Sequence, residues 1–193
     1  RDILVEDLYQ LLQYLGIQQA VIGGLSTGGL ISQHFYVAHP DMCRALVLCN
    51  TGPGYRNPKR IADADEARMA SVRILETEGI DGFIRTRKQG NPGQPDFYVP
   101  DEVLRLQNPM GLANAQRGFY SNLAMLPLQD FRVPTLIISC PGDGDLVGAA
   151  EFMKQHIPGS LLCMIPNAGH CTNIDQTDIF NAIVLEWLNQ NGI

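Results

Sequence analysis

Four short, continuous apolar runs constrain the fold of this chain more than any other feature of its sequence. They read "QAVIGGL", "RALVLCN", "PTLIISC" and "LLCMIP", and segments with helical patterns lie between them. Runs of this length without alternating polar residues are typical of strands buried on both faces of a parallel sheet. The intervening helices then cover those two faces. The sequence therefore predicts an α/β protein with a mostly parallel sheet and helices on both faces.

A helix is predicted ahead of the first run, over residues 3–15. Leucines occupy positions i, i+4, i+7, i+8 and i+11 there, namely Leu4, Leu8, Leu11, Leu12 and Leu15. This spacing predicts that the five leucines share one helix face. Asp2 is suited to cap the helix and Gly16 to end it.

The pattern changes over residues 52–129, which are richer in charge, proline and glycine. Helical patches such as "EARMASVRILET" and "DEVLRLQ" flank a loop with three prolines, "RKQGNPGQPDFYVP". We interpret this stretch as a helical cap inserted into the sheet domain. The domain itself is then predicted to comprise residues 1–51 and 130–193.

The first strand-like run leads directly into "GLSTG", in which Ser26 lies between Gly24 and Gly28. A G-x-S-x-G sequence between a strand and a helix is a nucleophile elbow, a sharp turn that raises the serine above the sheet edge. We expect glycines at both flanking positions because a Cβ atom there would clash. The helix that begins at Thr27 would direct its first N–H groups towards an oxyanion. A glycine-rich turn with an incidental serine is the alternative.

A serine hydroxyl needs a base to become a nucleophile, and four histidines are available. His34 lies about two turns into the helix that follows Ser26. His39 and His156 lie near helix C-termini, where the helix dipole favours a histidine. His170 follows the strand "LLCMI" through the loop "PNAGH". It is therefore expected at the carboxyl edge of the sheet, together with Ser26.

The base needs a carboxylate that fixes its tautomer, and the loop "PGDGDL" after "PTLIISC" offers two. Asp145 is our first choice and Asp143 the second; a solvated turn is the alternative for both. The preceding strand ends in Asn50, which carries no charge and so does not supply this acid. The predicted catalytic residues are thus Ser26, Asp145 and His170.

Three segments, "GLSTGG", "PGDGDL" and "NAGH", are similar to the catalytic signatures of the α/β-hydrolase superfamily. The resemblance covers essentially the whole chain. Within the superfamily, the segment "RALVLCNT" makes the chain look most like the small-molecule serine hydrolases around 3-oxoadipate enol-lactonase, esterases and carbon–carbon bond hydrolases. A serine at the elbow separates it from members that require aspartate there.

The resemblance implies hydrolysis of an ester, lactone or related carbonyl bond of a small acyl substrate, without a cofactor. Thr27 N–H would be one oxyanion donor. Superfamily members also carry four strands and a helix ahead of the helix at residues 3–15. We therefore expect the N-terminal half of the sheet to be missing from this chain, which would leave it poorly stable alone, inactive, or both. A non-catalytic binding protein and an acyltransferase are the rival functions on the same fold.

Substrate choice is expected to lie in the cap insertion. Four aromatic residues there are candidates for an apolar substrate pocket, namely Phe97, Tyr98, Phe119 and Tyr120. The alternative is that these side chains only pack the helices of the cap against one another.

Composition narrows the remaining function classes. A net charge of −6 gives no basic stripe for nucleic acid, and no apolar run reaches the length of about 20 residues that a membrane span requires. The five cysteines lack metal-ligand spacing. We interpret Cys49, Cys140 and Cys163, which lie in or at the end of the apolar runs, as small buried residues of a reducing compartment, and we expect the protein to be cytoplasmic. The oligomeric state is not predicted.

Overall fold

The structure is a computed structural model that describes residues 2–90, 100–119 and 124–193. Its strands are β1 (Ala20–Leu25), β2 (Cys43–Cys49), β3 (Thr135–Ser139) and β4 (Leu161–Met164). Its α-helices are α1 (Asp2–Tyr14), α2 (Thr27–Ala38), α3 (Pro58–Thr77), α4 (Gly79–Gly90), α5 (Asp101–Leu104), α6 (Pro109–Phe119), α7 (Asp145–His156), α8 (Thr172–Asp175) and α9 (Thr177–Gln190).

The four described strands form one sheet in the order β1-β2-β3-β4, and every neighbouring pair is parallel. The register aligns Leu25 with Cys49, Cys49 with Ile138, and Ile138 with Cys163. The carboxyl ends of the strands therefore lie along one edge. In open α/β sheets this is the edge where functional residues gather.

Both faces of this sheet are covered, as the continuous apolar runs predict. On β2, Leu46 and Leu48 pack into a cluster with side chains of α1, α2 and α7, whereas Ala45 and Val47 pack into a second cluster with α9. Successive side chains of a strand point to opposite faces, so β2 contributes side chains to both clusters. The predicted fold class, a parallel α/β sheet with helices on both faces, is confirmed.

Helix α1 is present, but its buried face coincides only in part with the predicted leucine face. Val5 and Leu12 are buried, whereas Leu4, Leu11 and Leu15 are 40%, 51% and 56% exposed. The helix carries apolar residues on more than one side. Spacing alone identifies the helix but cannot decide which side meets the sheet.

The chain divides into two compact units. Residues 55–124 form one, and residues 2–54 together with 125–193 form the other. The first unit consists of helices α3 to α6 around a small core of Val72, Leu75 and Ala113. Asn57 caps α3 by accepting a hydrogen bond from Lys59 N, and Pro58 is the first residue of this helix. This local signal extends α3 well ahead of the predicted helical patch.

The described ranges contain no helix that is both long and apolar enough to span a membrane. Nor do their His, Cys, Asp and Glu side chains form a cluster of three or more that could bind a metal ion. All five cysteines are free thiols. Burial raises the pKa of Cys43 and of Cys49 to about 12, so both stay protonated at neutral pH.

Candidate active site

Ser26 occupies a strained turn between β1 and α2. Its backbone has φ 54° and ψ −114°, a combination that side-chain-bearing residues rarely adopt. Such a conformation costs about 1–3 kcal/mol, so the surroundings must hold it in place. Ser26 N donates to Cys49 O at 2.8 Å, and Ser26 O accepts from Thr51 Oγ1 at 2.6 Å and from Leu30 N at 3.2 Å. The end of β2 thus fixes the turn from the side.

Two of the glycines around Ser26, Gly24 and Gly29, lie where neighbouring elements approach closely. A Cβ atom on Gly24 would lie 2.3 Å from the carbonyl carbon of Gly28, so the turn closes only with glycine at position 24. Contrary to our expectation, a Cβ atom on Gly28 would meet nothing within 4 Å. A Cβ on Gly29 would instead lie 2.5 Å from Thr51 Cγ2. The close approaches are therefore those of strand to helix at Gly24 and of helix to β2 at Gly29.

His170 and Asp143 are in direct contact in the loops after β4 and β3. Asp143 Oδ1 lies 2.8 Å from His170 Nδ1, and the Asp143 side chain is only 4% exposed. An ionised carboxylate is a pure acceptor, so the Nδ1 atom in this pair carries the proton. His170 Nε2 is then the unprotonated, basic nitrogen. This is the ring tautomer that a general base requires.

The predicted pairing of His170 with Asp145 is wrong, because Asp143, our second choice, makes this contact. Asp145 is the first residue of α7, and its side chain lies on an exposed surface. Gly144 precedes it at φ 55°, which turns the chain out of the loop and into the helix. A carboxylate in the first turn of a helix interacts favourably with the helix dipole, and this accounts for Asp145.

Sequence reasoning set Asn50 aside because it carries no charge, yet Asn50 lies at the centre of this site. Its Nδ2 donates to Asp143 Oδ2 at 2.8 Å, and its Oδ1 accepts from Thr172 Oγ1 at 2.7 Å. The next residue, Thr51, bonds to Ser26. The end of β2 therefore connects the elbow, the acid loop and the histidine loop. A buried asparagine at the carboxyl end of a strand is the signal that could have revealed it.

Two of the other histidines, His39 and His156, have structural roles. The His39 ring stacks on Tyr9 with 4.2 Å between centroids. The His156 ring stacks on Phe152, and His156 Nδ1 lies 2.8 Å from the Phe152 carbonyl oxygen. His34 lies within α2, as predicted. The His170 ring, in contrast to those of His39 and His156, contacts the buried carboxylate of Asp143.

Phe97, Tyr98 and Tyr120, three of the four candidates for the substrate pocket, lie outside the residues the structure describes. Phe119 ends helix α6, and its side chain lies outside that description too. The assignment of these four residues to substrate binding remains a prediction.

Cys171 follows His170 directly, and we expect it to react slowly with alkylating agents. Burial, together with the negative charges of Asp175 and Asp143, raises the pKa of its thiol. The thiolate is the reactive form, so a raised pKa moves the increase in reaction rate to higher pH. Peptide mass spectrometry after iodoacetamide treatment should show slower labelling of Cys171 than of glutathione at pH 7, with a rate that keeps rising above pH 9. Labelling as fast as glutathione at pH 7 would contradict this.

The chain matches a family model described as "Alpha/beta hydrolase family" over residues 1–183. It is 24% identical to a putative 2-succinyl-6-hydroxy-2,4-cyclohexadiene-1-carboxylate synthase of Bacillus subtilis, covering 95% of this chain and 71% of that protein. It is 27% identical to 3-oxoadipate enol-lactonase 2 of Acinetobacter baylyi, covering 95% of this chain and 68% of the relative. Putative carbamate hydrolases from several bacteria are similar at 25–27% identity.

Solved structures share the fold. MenH from S. aureus superposes with a TM-score of 0.88 at 22% identity, over 100% of this chain and 76% of that one. A thermophilic esterase from Thermogutta terrifontis gives a TM-score of 0.78 at 24% identity, over 97% of this chain and 71% of the esterase. The family model covers nearly the whole chain, and the sheet carries its serine turn and histidine–aspartate pair on loops at one edge. This chain belongs to the alpha/beta hydrolase family.

Proposed function

We propose that this protein is a serine hydrolase that cleaves an ester, a lactone or a related carbonyl bond of a small acyl substrate. The observation that carries the proposal is the 2.8 Å contact between His170 Nδ1 and Asp143 Oδ1, on loops at the edge where Ser26 leaves β1. Relatives named as an enol-lactonase and as carbamate hydrolases support this reaction class. A relative named as a synthase shows why the family alone does not fix the reaction.

In the first half of the reaction, Ser26 Oγ attacks the substrate carbonyl carbon while His170 Nε2 takes the hydroxyl proton. Asp143 accepts a hydrogen bond from His170 Nδ1–H throughout and stabilises the imidazolium. The tetrahedral oxyanion lies at the N-terminus of α2, where Thr27 N–H and the partial positive charge of a 12-residue helix are directed. His170 then protonates the leaving alcohol as the carbonyl reforms.

In the second half, His170 deprotonates a water molecule that attacks the acyl-enzyme, and Ser26 is released with its proton restored. Buried surroundings strengthen the electrostatic interactions in both halves, because few waters compete for the Asp143 carboxylate. The alcohol thus leaves with the proton taken from Ser26, and water supplies the proton that restores the serine hydroxyl. For an ester substrate, the products are an acid and an alcohol.

The test is partitioning of the acyl-enzyme between water and methanol. The protein is given p-nitrophenyl butyrate and, separately, phenyl butyrate, in buffer with methanol, and butyrate and methyl butyrate are quantified. Because both substrates form the same acyl-enzyme, we expect the same ratio of the two products from each. A ratio that depends on the leaving group would rule out a common acyl-enzyme. Predominant methyl butyrate at low methanol would favour the rival acyltransferase.

A further inference from the structure

Asn50, directly after β2, combines a left-handed backbone conformation with a buried polar side chain. It directly follows the strand, is 1% exposed and has φ 45°, in the left-handed region that side-chain-bearing residues seldom adopt. Asn50 N donates to Ile138 O at 2.8 Å, so its backbone still belongs to the sheet. Asparagine tolerates this region better than most residues, which allows a polar side chain to point away from the strand end.

The bonding partners of Asn50 fix the orientation of its amide. The Asp143 carboxylate is an acceptor and must therefore face the amide NH₂ group, as the 2.8 Å Nδ2–Oδ2 contact has it. Asn50 Oδ1 then faces Thr172 Oγ1 at 2.7 Å, and this hydroxyl donates to it. Thr172 is fully buried, and it lies two residues after His170. The amide thus joins the acid to the histidine loop.

The two oxygens of Asp143 have different partners as a result. Oδ1 faces His170 Nδ1 and Oδ2 faces Asn50 Nδ2, each at 2.8 Å. A carboxylate held by one partner can rotate about its Cβ–Cγ bond, whereas a second partner fixes its plane. In a buried site, a donor to a charged oxygen also replaces the hydration that burial removes.

We propose that Asn50 is a positioning residue, whose amide holds the Asp143 carboxylate in the plane in which it orients His170 and ties the histidine loop to β2. This inference rests on the proposed function. Because Asn50 is 1% exposed and bonds to Asp143 and Thr172, we assign it no direct contact with the substrate. It acts through Asp143, and its contribution appears in the turnover step more than in substrate binding.

The experiment compares two substitutions of Asn50 with a matched control. Asn50→Gly keeps the left-handed backbone accessible and removes the amide. Asn50→Asp keeps the shape and an acceptor for Thr172 but sets a carboxylate against Asp143. Ser139→Ala is the control, because Ser139 is a fully buried polar residue at the end of the neighbouring strand β3.

We expect kcat for p-nitrophenyl butyrate to fall about 10- to 150-fold in Asn50→Gly, which is the effect of one hydrogen bond to a charged group. KM should stay within about threefold. The fall in Asn50→Asp should be at least as large, and Ser139→Ala should keep its kcat. Thr172→Val should lower kcat by releasing the amide, while Thr172→Ser, which keeps the hydroxyl, restores it.

The second readout needs no substrate. The proton on His170 Nδ1, shared with the Asp143 carboxylate, should give a strongly deshielded ¹H NMR signal in the unmodified protein that is lost or moved in Asn50→Asp. Unchanged kcat and an unchanged signal, with only a lowered unfolding temperature, would reduce Asn50 to a packing residue and overturn the inference. If no ester is turned over, the proposed function fails, while this signal still tests the role of Asn50.

Discussion

Replacing Ser26 by alanine should reduce hydrolysis of p-nitrophenyl esters by about 10⁴- to 10⁶-fold, the range seen when a triad member is removed. Without Oγ there is no nucleophile for His170 to activate, so only transition-state binding remains. Because alanine retains a Cβ, the backbone strain at φ 54° is almost the same in both proteins. The loss should therefore appear in kcat, measured by p-nitrophenolate release, without a matching loss of fold.

Ser32→Ala is the matched control for this result. Ser32 lies in α2, the helix that follows Ser26, and its hydroxyl donates to Gly28 O at 2.8 Å. That carbonyl also accepts the ordinary helical hydrogen bond, so removing the Ser32 hydroxyl leaves it satisfied. Activity of Ser32→Ala should stay within a few-fold of the unmodified protein. Full activity in Ser26→Ala would end the account of Ser26 as the nucleophile.

Replacing Asp143 by asparagine should lower kcat by about 10⁴-fold, which is the cost of presenting the base in the wrong tautomer. The Asn50 amide forces this outcome. Its Nδ2 group donates to the position of Asp143 Oδ2, so the new amide would place its oxygen there and its NH₂ group towards His170. His170 Nδ1 would then act as an acceptor, the ring proton would move to Nε2, and the nitrogen that should take the serine proton would be occupied.

Asp145→Asn is the companion variant, since the two aspartates are only two residues apart in one turn. Asp145 is exposed in the first turn of α7, where its charge is worth about 0.3–1 kcal/mol of helix stability. We expect a small decrease in unfolding temperature and kcat within about twofold of the unmodified protein. A larger loss of kcat in Asp145→Asn than in Asp143→Asn would reverse the assignment.

The fold class and the positions of Ser26 and His170 follow from sequence patterns because those patterns reflect burial and tight turns. A buried strand must be continuously apolar, and a turn as tight as that at Ser26 needs glycine at position 24. The position of His170 could be predicted in the same way, since it follows a strand and therefore lies at the carboxyl edge of the sheet. These are local statements, and local sequence suffices for them.

Asp143 and Asn50 were harder to predict. The choice between Asp143 and Asp145 depends on where helix α7 begins. An acidic residue ahead of Leu146, Ala150 and Met153, which are spaced i, i+4 and i+7, indicates the first turn of a helix and could have placed Asp145 in α7. The role of Asn50 depends on bonds to residues 93 and 122 positions away in sequence. No periodicity contains that information.

The buried face of α1 shows a second limit. Leucine spacing predicted the helix correctly, but Val5 and Leu12 face the core while Leu11 and Leu15 remain exposed. Which side is buried depends on what the sheet presents to the helix. That information lies in β1, β2 and α2 rather than in α1.

The most direct test of the central claim is labelling with a fluorophosphonate, a probe that phosphonylates an activated serine hydroxyl. The account predicts one adduct per chain, located by peptide mass spectrometry on Ser26, forming at a strongly reduced rate in Asp143→Asn and at an unchanged rate in Asp145→Asn. An adduct on another serine, or equal labelling of Ser26 in unmodified and Asp143→Asn protein, would contradict activation of Ser26 by the His170–Asp143 pair.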